Sequence, residues 1–207
     1  MRKNLLAEPI TIINVGYRST NFWVVSAGRS RLLVDVGWPG SMGTMRANLK
    51  RMDVPLNEIR YTLATHFHID HAGLAQDFKR AGVPLLVIDV QVEAIPVMKT
   101  WIKPADNYTE ITLEGNTTIS CAGSRALLES IGILGEILHT PGHSEDSVSL
   151  LLDDGSVFTG DLTQPDHVGL EDPSVVAASW RLLWERGARR VYPGHGPIRP
   201  MDPTLGE

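Results

Sequence analysis

Residues 65–71 read Thr65-His66-Phe67-His68-Ile69-Asp70-His71, which places four side chains able to ligate a metal within six positions. Imidazole nitrogen and carboxylate oxygen are donors that borderline divalent cations accept. If residues 65–70 run extended, His66, His68 and Asp70 share one side and Phe67 and Ile69 the other, because side chains alternate along a strand. The apolar spacers are then expected to anchor the loop in the core. His71 breaks that parity where Ala72, Leu74, Ala75 and Phe78 begin a helical period, so its imidazole faces a second position beside the first. Two adjacent cations are easier to build here than one.

Outward from this cluster the chain supplies the partners it needs: Pro141-Gly142-His143-Ser144, Thr159-Gly160-Asp161, and Pro193-Gly194-His195-Gly196-Pro197. Each follows a predicted strand, at a tight turn where glycine lets backbone approach other groups closely. Taken alone, a Gly-His or Gly-Asp pair is usually just a turn. Together with the cluster the three point to strand-end loops gathered on one rim around a metal site. Zinc suits this donor set best, and iron or manganese also accept it.

These residues resemble the signature of the metallo-β-lactamase-fold hydrolase superfamily: His-x-His-x-Asp-His, then a Gly-His, a Gly-Asp and a final Gly-His. Every position is filled, and Leu32-Leu33-Val34-Asp35-Val36-Gly37 is similar to the family's first motif. The resemblance implies that His66, His68 and His143 bind one metal, that Asp70, His71 and His195 bind a second, and that Asp161 bridges them. It implies for Asp35 the part of a carboxylate orienting the loop or a ligand imidazole. Flavodiiron electron carriers usually have glutamate at the position of His68, and true β-lactamases with this signature generally lack the bridging aspartate. The chain is closer to the glyoxalase II-like and lactonase-like branch, yet only residues 196–207 follow the last histidine, where glyoxalase II places its glutathione-binding region.

The chain has 207 residues, 43% of them hydrophobic and 21% charged, with a formal net charge of −5. That size is expected to form one domain across residues 1–207 with a substantial core. The negative balance disfavours nucleic acid, whose phosphates are held by clustered Lys and Arg. Arg29/Arg31 and Arg186/Arg189/Arg190 read as solvated surface. The opening residues 1–9 carry too short an apolar run for a secretory signal, and no stretch approaches a membrane span. Cys121 is the sole cysteine and reads as a small core hydrophobe. A cytoplasmic protein acting on a small molecule fits these features.

Along the chain, residues 10–14, 21–26 and 31–35 read as a strand meander. Ser41 is placed to N-cap a helix whose Met42, Met45, Leu49 and Met52 keep helical spacing. Residues 61–64 form a strand into the cluster, a helix follows to Arg80 and stops at Gly82, and residues 83–89 form the next strand. Residues 90–101 are expected to be helical, and residues 102–116 to form a lid or rim. Strands at residues 135–140, 147–152 and 156–159 follow, the last two joined in a hairpin at Asp154-Gly155. Asp172 and Pro173 fit N-cap and first position of a helix presenting Val175, Val176, Ser179, Leu182 and Leu183 and closing at Gly187. This twofold alternation suits two face-to-face sheets with helices outside, an αββα sandwich, and the resemblance implies the same α/β architecture.

The chemistry expected is cleavage of a small thioester, ester or lactone by a hydroxide bridging two metals, with Asp70 orienting it and carrying a proton to the leaving group. Alternatives are a mononuclear iron enzyme resembling persulfide dioxygenases and a phosphodiesterase acting on a small substrate. His167 is placed to face the substrate, His139 reads as structural, and Trp38 and Trp101 as pocket walls or boundary residues.

Overall fold

The computed structural model describes residues 9–206, so the opening residues read above as too short for a signal lie largely outside it. Strands β1 (Ile10–Asn14), β2 (Trp23–Ala27) and β3 (Ser30–Val34) form the expected antiparallel meander. Helix α1 (Met42–Arg51) crosses over to β4 (Ile59–Leu63), which pairs parallel with β3. Helices α2 (Ile69–Ala72) and α3 (Ala75–Arg80) lead to β5 (Leu85–Ile88); α4 (Ala94–Met98) precedes β6 (Thr117–Ile119), completing a six-stranded sheet in the order β1-β2-β3-β4-β5-β6. After α5 (Cys121–Ser130), the second sheet contains β7 (Gly135–His139), β8 (Val148–Leu152) and β9 (Ser156–Gly160). Helix α6 (Pro173–Glu185) then crosses to β10 (Arg190–Pro193), and β11 (Arg199–Pro200) finishes the sheet in the order β11-β10-β9-β8-β7.

Alternation along the strands sorts the core into three layers of contact. Between the sheets, Trp23, Val25, Leu32, Val34, Leu63, Leu86 and Ile88 meet Ile137, Val148, Leu150, Leu152, Phe158 and Tyr192. Their neighbours Val24, Leu33, Leu85 and Val87 point outward onto Met45 and Leu49 of α1 and Phe78 of α3. On the opposite side Leu138, Leu151, Val157 and Val191 pack under Val176, Trp180 and Leu183 of α6. Helix, sheet, sheet, helix: the αββα sandwich follows from which residues of each strand are apolar.

Local expectations differ in instructive ways. The run from Thr65 is extended only to His68, whose carbonyl accepts from the N–H groups of His71 and Ala72 and so starts α2. Asp70 therefore leaves the parity of His66 and His68 and sits on the first helical turn. Phe67 is buried in the core as expected, whereas Ile69 is only half-buried. Ser41 precedes α1 but makes no capping bond; its hydroxyl donates to the Trp38 carbonyl and pairs with the Tyr17 hydroxyl. Asp172 does cap α6, accepting from Ser174 N at 2.8 Å, and Pro173 opens the helix. Residues 89–101 coil as α4 between two short 3₁₀ turns.

Arg31 is not a solvated residue: it and Arg29 grip the nearly buried Glu58 at 3.1 and 2.6 Å. Residues 102–116 are largely irregular and tied to α3, with Thr112 N donating to Gln76 and the Lys79 ammonium donating to the carbonyls of Thr112 and Glu114. Among the described residues no helix is long and apolar enough to cross a membrane.

Candidate metal centre

Strands β3 and β4 run parallel, and β7, β9 and β10 share a direction because β7 and β9 both oppose β8 and β10 parallels β9. The carboxyl ends of all five meet at one rim. There Asp35 follows β3, His66 and His68 follow β4, Asp70 and His71 occupy α2, and His143, Asp161 and His195 follow β7, β9 and β10. All seven side chains expected to ligate are brought together. Ligating atoms of His66, His68 and His143 lie within 4.8 Å of one another, as do those of Asp70, His71 and His195, and those of His66, His71 and Asp161.

His68 Nδ1 is 3.0 Å from His66 Nε2 and 3.1 Å from His143 Nε2. In the neighbouring group, Asp70 Oδ2 is 3.4 Å from His71 Nε2 and 3.3 Å from His195 Nε2. Asp161 Oδ2 stands between the groups, 3.3 Å from both His71 Nε2 and His195 Nε2 and 3.8 Å from His143 Nε2.

The rings are aimed from behind. His71 Nδ1 donates to Asp35 Oδ2 at 2.8 Å, and His195 Nδ1 donates to the Ser19 carbonyl at 2.7 Å. His66 Nδ1 donates to Thr65 Oγ1 at 3.1 Å, and that hydroxyl donates onward to Asp35. In the neutral form that binds metal an imidazole has one donor and one acceptor nitrogen, so in that form these three bonds turn the bare Nε2 of His66, His71 and His195 toward the centre. Asp35 also accepts from Thr65 N at 2.7 Å, and it adopts a left-handed backbone with φ +61°. For a residue other than glycine that conformation costs on the order of 1 kcal/mol or more. The glycines before two of the loops answer a steric need: a Cβ at Gly160 would meet Thr65 Oγ1 at 2.2 Å, and one at Gly194 would meet Asp161 Oδ1 at 2.4 Å.

The family model described as the metallo-beta-lactamase superfamily matches residues 15–195. The chain belongs to this superfamily. A probable metallo-hydrolase, MJ0888 of Methanocaldococcus jannaschii, is 26% identical over 201 residues, covering 88% of this chain and 90% of that protein. The atrochrysone carboxyl ACP thioesterase of Aspergillus fumigatus is 30% identical over 190 residues, covering 87% of this chain and 52% of its own. The chain spans about half the length of the fungal relatives it matches. Among solved structures, TTHA1623 in a di-iron-bound form superposes with a TM-score of 0.70 at 24% identity, covering 95% of each chain, which establishes the shared fold.

The charge pattern of this superfamily member's site fits a divalent cation. Burial pushes His66 well below the ordinary histidine range, and the neighbouring imidazoles push the same way, so its Nε2 keeps a free lone pair. At His71 burial also opposes charge, yet Asp35, Asp161 and Asp70 together carry it well above that range. Asp70 and Asp161 are lowered despite their own burial, chiefly by His71. Three carboxylates thus demand positive charge at one point. His71 Nε2 and Asp161 Oδ1 are buried there without a hydrogen-bond partner among the described residues. Buried polar atoms are rarely left so, and the donor set is the one that zinc, iron and manganese accept.

Other parts of the site were not visible in the sequence. Thr20 Oγ1 donates to Asp70 Oδ2 at 3.0 Å, bringing the loop between β1 and β2 onto the centre. Asp146 Oδ2 accepts from Phe67 N at 2.7 Å, and the fully buried Gln91 donates to the carbonyls of Ala64, Thr65 and Asp146, locking the His143 loop to the His66 loop. An aspartate three residues past His143 was the only local signal; Gln91 gave none. His139 is structural as expected, bonded to the Glu145 carbonyl at 2.7 Å. His167 is exposed but lines the same opening as His143, Asp161 and His195. Trp38 lines a cavity with Ile69 and Asn107, while Trp101 is 75% exposed.

Proposed function

We propose that the chain is a dinuclear metal-dependent hydrolase of small thioesters, esters or lactones. The observation that carries this reading is the pair of three-residue donor groups, His66/His68/His143 and Asp70/His71/His195, with Asp161 Oδ2 between them. His66, His68 and His143 would hold one cation, Asp70, His71 and His195 the other, and Asp161 would bridge them. Zinc is the proposed metal. When bound, such a pair activates water at neutral pH and polarises the carbonyl under attack.

The chain's own residues orient and sort protons. Thr20 fixes Asp70 through Oδ2, and the lowered carboxyl of Asp70 remains an acceptor that aligns the attacking water and passes its proton toward the leaving group. Asp35 and Thr65 keep His71 and His66 in the tautomers that face inward. The shallow opening on His143, Asp161 and His195 favours a small substrate, and the names of the metallo-hydrolase and thioesterase relatives agree with the class. A single-iron enzyme would use only one of the two donor groups.

A panel of thioesters, esters, lactones, phosphodiesters, β-lactams and a persulfide, offered to the metal-replete protein, checks this reading. Hydrolysis concentrated on the first three classes and abolished by a chelator is the expected outcome. Oxygen uptake with the persulfide and no hydrolysis, or turnover confined to phosphodiesters, would overturn it.

A further inference from the structure

Four residues beyond His195, the chain turns into β11, where Arg199 pairs with Val191 of β10 and lays its half-buried guanidinium over the Trp180 indole at 5.4 Å from the ring centroid. That indole is itself fixed, donating through Nε1 to the Thr163 carbonyl at 2.7 Å. Arg199 makes no ion pair or side-chain hydrogen bond among the described residues; the charge that acts on it is Asp166, beyond contact distance, while burial works against its own charge. A half-buried, stacked guanidinium with no protein partner among the described residues can receive an anion, because its planar fork matches a carboxylate in a bidentate pair.

Its position gives that receptor a purpose. Arg199 and Gln164 line the opening that His143, Asp161 and His195 also line, and both continue into an adjoining cavity of about 600 Å³ walled by Trp180, Val191 and Met201. The guanidinium therefore stands at the junction between the reacting centre and a larger, mainly apolar space. Asp166 and Asp202 border that space as well. Their negative charge opposes any anion bound beside Arg199, and a phosphate dianion more strongly than a carboxylate monoanion.

We propose that Arg199 anchors a free carboxylate on the substrate, so that the site selects esters or thioesters of carboxylate-bearing acids over their uncharged counterparts. This rests on the hydrolase reading above, with Arg199 in a specificity-determining place and no part in bond breaking. The carboxylate lies over the Trp180–Arg199 stack, and the chain leading to the reacting carbonyl crosses the opening toward His143 and His195.

Two measurements test it. Calorimetry on the metal-loaded protein compares N-ethylglutaramate, an amide analogue with a free carboxylate, with uncharged N,N′-diethylglutaramide, and adds a phosphonate of the same length. The charged amide is expected to bind about 10- to 100-fold more tightly than the neutral one, as a charge-assisted pair requires. Arg199→Met, which keeps the contact with Trp180, is expected to erase that preference, and Arg199→Lys to restore part of it. Kinetics with a glutaryl thioester and its carboxamide should show the same ratio in KM and lose it in Arg199→Met. Equal binding of the two amides by the wild type, binding of neither, a preference that survives Arg199→Met, or tighter binding of the phosphonate would each overturn the proposal. Selective binding without turnover of any ester would uphold Arg199 and refute the hydrolase reading instead.

Discussion

Asp161→Ala is expected to lose metal and to lower kcat/KM by on the order of a thousandfold, since a metal contributes several kcal/mol of charge stabilisation to the transition state. Asp161 Oδ2 lies within 3.3 Å of His71 and His195 and 3.8 Å of His143, so one carboxylate serves nitrogens from both donor groups. Without it, imidazoles face one another with too little negative charge to hold two cations. Asp161→Asn keeps the shape and removes the charge, and an intermediate loss is expected. Metal content by elemental analysis, run beside steady-state rates on the best substrate of the panel, checks both variants. Full metal content and full activity in Asp161→Ala would remove the bridge from the mechanism.

Asp35→Ala should be the most damaging change to the scaffold around the site. Asp35 is 1% exposed, and its two oxygens accept from Thr65 N, Thr65 Oγ1 and His71 Nδ1. Removing them strands buried donors, at about 1–3 kcal/mol each. The total expected is about 3–5 kcal/mol, lost chiefly through the His71 pair. Metal affinity is expected to fall by about 10- to 100-fold, because both His71 and His66 lose the support that fixes their tautomers. Denaturant unfolding of the metal-free protein reads the first effect and competition with a chromogenic chelator the second. Unchanged stability would mean that water replaces the carboxylate without penalty.

Much of the site was legible because its ligands are held by local chemistry. Six positions carry four donors, and glycine precedes each remote ligand, for a steric reason that is clear at Gly160 and Gly194. The sandwich is legible in the twofold alternation of strand-rich and helix-bearing segments, together with the family resemblance. The exception is local too: α2 has four residues, too few to impose a period in the sequence, so strand parity assigns Asp70 to the wrong face of the loop. Helix α5 carries little signal in the sequence because it buries only Ser124 and Leu128 and has Gly123 within its first turn. Its one clear mark, Ser120 accepting from Gly123 N, precedes no strong apolar face. Thr20 and Gln91 were illegible for a different reason. Thr20 meets Asp70 across fifty positions of sequence, and Gln91 spans fifty-five to Asp146, so both contacts exist only once the sheets have packed.

Metal analysis of the wild-type protein, purified without chelator and referred to its molar concentration, bears most directly on the pairing of cations at this rim. About two divalent ions per chain are expected, both removed together with hydrolytic activity on chelation and restored together on reloading. A ratio of one that supports full activity, or full hydrolysis by the metal-free protein, would contradict it.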